Sequence, residues 1–380
     1  MSAKLLVLII SLSLALGARS ATPFGMYALA QQAADQRNDD RVEWLMAHGA
    51  QPIEHVATLL SDADMVIVGE THEVADNCEV VASMLEPLYT QAGLRVLATE
   101  FLPASMNERI DGVVLAPVWD RDAAIDLFRD TAWPIWGYAE YVDILEAAWA
   151  VNASRAEGQP PLRVVGIDDD WRQLETLQTE DRTARFEQAT KREDAMHNAT
   201  RALLEEWQDG AAIKTLVLTG WAHAIFIGSH RFAARLRAEF GQRVQHLILH
   251  HDLPNAEDGR PITGTLDELF VAYRQAATAA DRSTAVAFAI AESPIDVGLD
   301  PASRHARMLG QDARLSSFIE HYAIMAPSTE LRPVTWIDGF VTDRLAEAIA
   351  VCERLRWIEP GSVTTSEELD VAMRRRLAGR

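Results

Sequence analysis

Two histidines sit in the same short frame, Gly69-Glu70-Thr71-His72 and Gly220-Trp221-Ala222-His223, and the first frame carries a carboxylate beside its imidazole. An imidazole has an ordinary pKa of about 6.5, so a histidine oriented by a neighbouring carboxylate can take up and return protons close to neutral pH. The same side chains are also metal ligands. Two His with Glu70, Glu100 or Asp168 would make a set for a divalent ion such as Zn, Mn or Co, with His nitrogens at about 2.0 to 2.1 Å if the ion is zinc. Residue types alone leave both chemistries open. Arg192 could clamp a carboxylate or phosphate, although on a segment as charged as Lys191-Arg192-Glu193-Asp194 surface ion pairing is the stronger reading unless the helix covers the crevice.

These residues share a position as well as a chemistry. Glu70 and His72 follow the apolar run Val66-Ile67-Val68, Glu100 follows Val96-Leu97-Ala98, Asp168 follows Val164-Val165-Gly166-Ile167, and His223 follows Leu216-Val217-Leu218. A single polar residue after a strand is most often a helix cap. The recurrence over four runs points instead to one rim. Short Val-, Ile- and Leu-rich runs separated by helical stretches predict buried parallel strands, and an open parallel sheet binds its ligand at the carboxyl ends of those strands.

The remaining pattern supplies the scaffold. A polar amphipathic helix is expected over 28–49 with Asp39 and Asp40 outward, then a strand over 65–68. Residues 73–91 carry Val80, Val81, Met84, Leu85 and Leu88 at helical spacing and stop before Gly93, with Pro87 expected to kink the last turns. A second strand over 95–101 completes a β-α-β unit. Helix is expected between 111 and 150, interrupted by Ala132-Trp133-Pro134-Ile135-Trp136-Gly137-Tyr138-Ala139-Glu140-Tyr141, an aromatic cluster that serves either as pocket wall or as core. A long charged helix runs from Thr179, a capping residue, to Gly210, and further strands are expected over 215–219, 244–249, 285–290 and 322–325. The second of these ends in His250-His251-Asp252, where adjacent side chains point to opposite faces. A helix over 341–355 closes the domain. The basic run Arg374-Arg375-Arg376 reads as a solvated end. The expected organisation is a signal peptide over 1–21, one α/β domain over 22–360 with a mostly parallel central sheet and flanking helices, and a tail over 361–380.

Bulk properties narrow the partners. The 380 residues are 48% hydrophobic, enough for a full core, and a net charge of −21 disfavours nucleic acid and anionic membrane surfaces. Small-molecule or peptide substrates remain. Lys4, the apolar run Leu5 to Leu16 and the small residues Ala18, Ser20 and Ala21 have the layout of a secretory signal, so periplasmic or secreted protein is expected, with no transmembrane segment once it is removed. Cys78 and Cys352 could pair after export if their Cα atoms came within about 7 Å.

Gly69-Glu70-Thr71-His72, Ala98-Thr99-Glu100-Phe101, Arg192-Glu193-Asp194-Ala195-Met196 and Leu218-Thr219-Gly220-Trp221-Ala222-His223-Ala224 together resemble the superfamily that joins ChaN-like haem-binding proteins, Tiki/TraB-type proteins and erythromycin esterases. The resemblance covers residues 60–230. It implies an α/β fold with a rim site built from Glu70, His72, Glu100 and His223, with Arg192 similar to an arginine that precedes a methionine in the esterase branch. The function it implies is hydrolysis of an ester or amide by an activated water. Its other branch implies a haem-binding protein of iron uptake, with Tyr138 and Tyr141 as contacts to the cofactor.

Overall fold

The computed structural model describes residues 38–131, 136–169, 182–208, 211–250, 253–257, 259–291, 293–310 and 312–379. The expected signal peptide, Trp133 to Ile135, Asp170, Thr179, Gly210, His251 and Asp252 lie outside the described residues.

The apolar runs become strands β1 (Met65–Glu70), β2 (Leu94–Pro103), β3 (Arg163–Asp168), β4 (Lys214–Gly220), β5 (Val244–Leu249), β6 (Val286–Ala289) and β7 (His321–Ile324). They form one seven-stranded sheet in the order β3-β2-β4-β1-β5-β7-β6, parallel except for β6, which pairs antiparallel with β7 at the edge. Alternation along the strands feeds two cores. Val66, Val68, Leu216 and Leu218 face one side, while Met65, Ile67 and Val217 face the other. Both faces are therefore covered by helices, which is why the strands read as continuous apolar runs rather than as alternating ones.

On the first face lie α1 (Pro52–Asp62), α2 (Ala75–Gln91), the shorter α3 (Asn107–Val114) and α4 (Arg121–Arg129), and α5 (Ala139–Ser154). On the second lie α6 (Arg182–Glu205), α8 (Phe232–Phe240) and α9 (Ile262–Ala279), with the single turn α7 (Trp221–Ala224) following β4. Helix α2 runs through Pro87 to its end, and Gly93 beyond it takes a positive φ of 71°. After the short α10 (Arg304–Leu309) come α11 (Leu345–Arg354) and α12 (Ser366–Ala378). The last of these corrects an expectation. The basic run is only in part a solvated end: Arg374 and Arg375 are exposed, but Leu369, Met373 and Leu377 anchor α12 in the first core and Arg376 is turned inward. Cys78 and Cys352 are buried free thiols.

Candidate active site at the carboxyl edge of the sheet

The rim residues converge because β1 and β4 are direct neighbours, with Glu70 opposite Gly220. Glu70 closes β1, His223 lies in α7 immediately after β4, and Asp168 closes β3. Strand β2 reaches the rim by a bulge. Thr99 pairs with Gly166 but Pro103 with Asp168, so the segment holding Glu100 departs from the ladder and swings its carboxylate inward.

Glu70 Oε1 pairs with Nδ1 of His72 and accepts from the Tyr141 hydroxyl at 3.2 Å. With Nδ1 committed, Nε2 of His72 faces the cleft, 3.9 Å from Glu100 Oε1. Gly220 makes that placement fit: a Cβ there would lie 2.8 Å from Cε1 and 2.9 Å from Nε2 of the ring. Trp136 meets the same ring edge-on with centroids 5.0 Å apart. Burial by itself would lower the imidazole's pKa, but Glu70, both as a charge and as a hydrogen-bond partner, outweighs it with help from Glu100 and against Arg192, raising His72 to about 9. Glu70 Oε2 is buried without a hydrogen-bond partner among the described residues.

Glu100 is the hub. Its Oε2 accepts from the backbone N–H of Gly220 and from the Thr219 hydroxyl, and its Oε1 pairs with Arg192 and lies 3.5 Å from Nε2 of His223. Burial alone would push its carboxyl up, yet the groups that face it, His223, Arg192, His72 and Thr219, hold it well below the usual carboxylate range. Arg192 reaches in from α6 and grips Asp168 with Nε at 2.9 Å from both oxygens, while its Nη1 lies 3.1 Å from Nε2 of His223. On its other side the His223 ring has Nδ1 2.7 Å from Glu193 Oε1 and 3.4 Å from Nη1 of Arg231. Glu193 is fixed in turn by Arg231 at 2.6 Å and by the Phe232 N–H at 2.8 Å.

All the catalytic candidates read from the sequence, Glu70, His72, Glu100, His223 and Arg192, thus meet in one cluster that Asp168 joins. Tyr138 and Tyr141, expected as cofactor contacts, are buried behind it, donating to Glu73 at 2.5 Å and to Glu70 at 3.2 Å. His250 lies elsewhere, held by the Tyr322 hydroxyl at 2.9 Å and Asp267 at 2.8 Å. Glu193 and Thr219 are additions. Glu193 sits in a run of charges with no periodicity to single it out, whereas Thr219 had a signal, a hydroxyl ending an apolar strand.

The expected divalent-metal set does not fit these residues. Among the described residues no group of three or more His, Cys, Asp or Glu side chains is arranged to hold a metal ion. The reason lies in Arg192, whose guanidinium binds Glu100, Asp168 and His223 together and places the protein's own cation among the intended ligands. The cleft above the cluster holds about 230 Å³ and is walled by Phe101, Pro103, Trp136 and Thr131. Its described lining includes neither Ser nor Cys. Burial pushes the Cys352 thiol up to about 12 and that of Cys78 well above its ordinary range, so neither supplies a thiolate.

No family model and no curated protein matches the sequence. Among solved structures, the chain is similar to a succinoglycan biosynthesis protein, with TM-score 0.47 and 10% identity over 80% of this chain and 99% of that one. It is similar to erythromycin esterase EreC in its open conformation, with TM-score 0.44 and 12% identity over 72% and 93% of the two chains. It is also similar to haem-bound ChaN of Campylobacter jejuni, with TM-score 0.35 and 11% identity over 52% and 86%.

Proposed function

We propose that this protein hydrolyses an ester or amide bond of a small molecule or short peptide by direct attack of water. One observation carries the reading: Glu70 holds Nδ1 of His72, so Nε2 is presented to a cleft whose other wall is the Glu100-Arg192-Asp168 cluster. In the attack, the water oxygen bonds to the carbonyl carbon and its proton passes to Nε2 of His72. The imidazolium then returns a proton to the departing alkoxide or amine as the carbon–heteroatom bond breaks. Arg192, kept cationic by Glu100 and Asp168, lies where negative charge grows on the carbonyl oxygen. The walls Phe101 and Trp136 suit an apolar acyl or aryl group.

Kinetics with p-nitrophenyl esters and N-acyl p-nitroanilides test this. His72→Gln should lose about 10² to 10⁴ in kcat, the usual contribution of a positioned base. Equal rates for wild type and variant would sink the proposal. Because His72 titrates at about 9, only about one molecule in a hundred carries the neutral base at pH 7. Accordingly, kcat/KM should climb nearly tenfold per pH unit from 6 and level off near 9. A plateau already reached at pH 7 would assign the base elsewhere. Titration with haem separates the other branch of the resemblance, since a stoichiometric Soret band lost in Tyr138→Phe or Tyr141→Phe would favour a haem-binding protein. Export belongs to the same proposal, and N-terminal sequencing of protein from a periplasmic or culture fraction should start near Ala21 or Thr22.

A further inference from the structure

We infer that Arg376, from the last helix of the chain, is a positioning residue for His72. The inference rests on the hydrolase reading for its catalytic meaning and on contacts for its physical content. His72 is followed by Glu73, which has a φ of +68°, a left-handed conformation that a residue with a Cβ adopts only when its surroundings enforce it. The enforcement is visible. The Glu73 carbonyl accepts from the Val334 N–H at 3.1 Å, and its side chain, 6% exposed, is gripped at both oxygens. Oε1 accepts from the Tyr138 hydroxyl at 2.5 Å and Oε2 from Nη2 of Arg376 at 2.8 Å.

Arg376 is equally confined. Only 11% of its side chain is exposed, and its guanidinium stacks 3.6 Å above the Trp357 ring. Helix α12 that carries it is fastened by Leu369, Met373 and Leu377 in the core and by Asp370, which accepts from Nε1 of Trp336 at 2.7 Å and from the Gly339 N–H at 2.8 Å. A surface ion pair on a loop would do little. Here a buried cation, 303 positions downstream, closes on the residue next to the proposed base. The consequence is that the turn after β1 holds His72 against Glu70 only while α12 is docked.

The test is an NMR titration of His72 in the full chain, which needs no substrate. A miss therefore leaves the hydrolase reading standing, and a failure of the esterase assays leaves this result readable. Wild type should titrate near 9. Arg376→Gln should bring the midpoint down by one pH unit or more, and Arg376→Lys should restore most of it. Direction is diagnostic, since losing a nearby positive charge acting only through space would raise the midpoint, whereas loosening the His72-Glu70 contact lowers it. Tyr138→Phe removes one hydroxyl with no change of charge, so it should lower the midpoint by a smaller amount and serves if the Arg376 variants do not fold. An unchanged or raised midpoint in folded Arg376→Gln, or an unchanged one in Tyr138→Phe, would overturn the inference.

Discussion

At the scale of single residues, the site depends on an atom that is missing. Gly220 has no Cβ, and the space it leaves is filled by the Cε1 and Nε2 edge of His72. Gly220→Ala would force that ring off its place by more than the few tenths of an ångström that packed neighbours concede. Since misplacing a catalytic group by about 1 Å can cost about 10²-fold, kcat of the variant should fall by that order. The fold should survive, as Gly220 has an ordinary negative φ of −57° and closes its strand. A variant with full activity would mean that the ring is not where the chemistry occurs. The same reasoning separates the two Gly-x-x-His frames: Gly220 clears room for the His72 ring, whereas a Cβ on Gly69 would strike Ile248 and Ala224 in the packing between β1, β5 and α7.

At the scale of elements, two adjacent side chains tie α6 to the rim, Glu193 through His223 and Arg192 through the strands. Arg192 joins it to β2 through Glu100 and to β3 through Asp168, both carboxylates being buried. Arg192→Ala would leave two buried negative charges without their cation, a loss of about 3 to 5 kcal/mol where a buried pair is broken. Urea denaturation should show that drop. A loss below about 1 kcal/mol would mean that the carboxylates find other partners. Much of this arrangement was legible in the sequence. The apolar runs fixed the strands to within a few residues, and their polar ends converged because an all-parallel core sheet leaves them nowhere else to go. The β2 bulge that aims Glu100 was not legible, because a register shift leaves no mark in hydrophobic pattern. Nor was the metal reading settled there. Whether Arg192 lies on the wet or the buried side of α6 depends on where the helix docks, and a helix this charged carries almost no amphipathic signal. The role of α12 was hidden for a related reason, three adjacent arginines masking the one that turns inward.

At the scale of the whole molecule, the histidines oppose one another in how stability follows pH. His72 has a folded-state pKa raised from 6.5 to about 9, so its contribution is complete below about 6.5 and is lost as pH rises through 9. Three others, none of them in the lining of the cleft, run the opposite way. Burial first of all lowers His55 and His321 to about 4, their rings joined at 3.0 Å between Nε2 and Nδ1, and lowers His246, fully enclosed in β5, to about 3. Each is neutral in the fold but takes a proton in the unfolded chain below 6.5, so the unfolded state binds more protons and stability falls as pH drops from 6.5 towards 4. The two trends leave a maximum between them. Stability measured by urea unfolding at fixed ionic strength should peak near pH 6.5 to 7 and decline on both sides. His246→Gln, which fills the site with a group that never becomes charged, should flatten the acid limb and leave the alkaline limb intact. His72→Gln should do the reverse. An acid limb that keeps its slope in His246→Gln, and in His55→Gln as well, would assign acid lability to the carboxylates instead, among them Glu100, which its partners in the cleft hold well below its ordinary range.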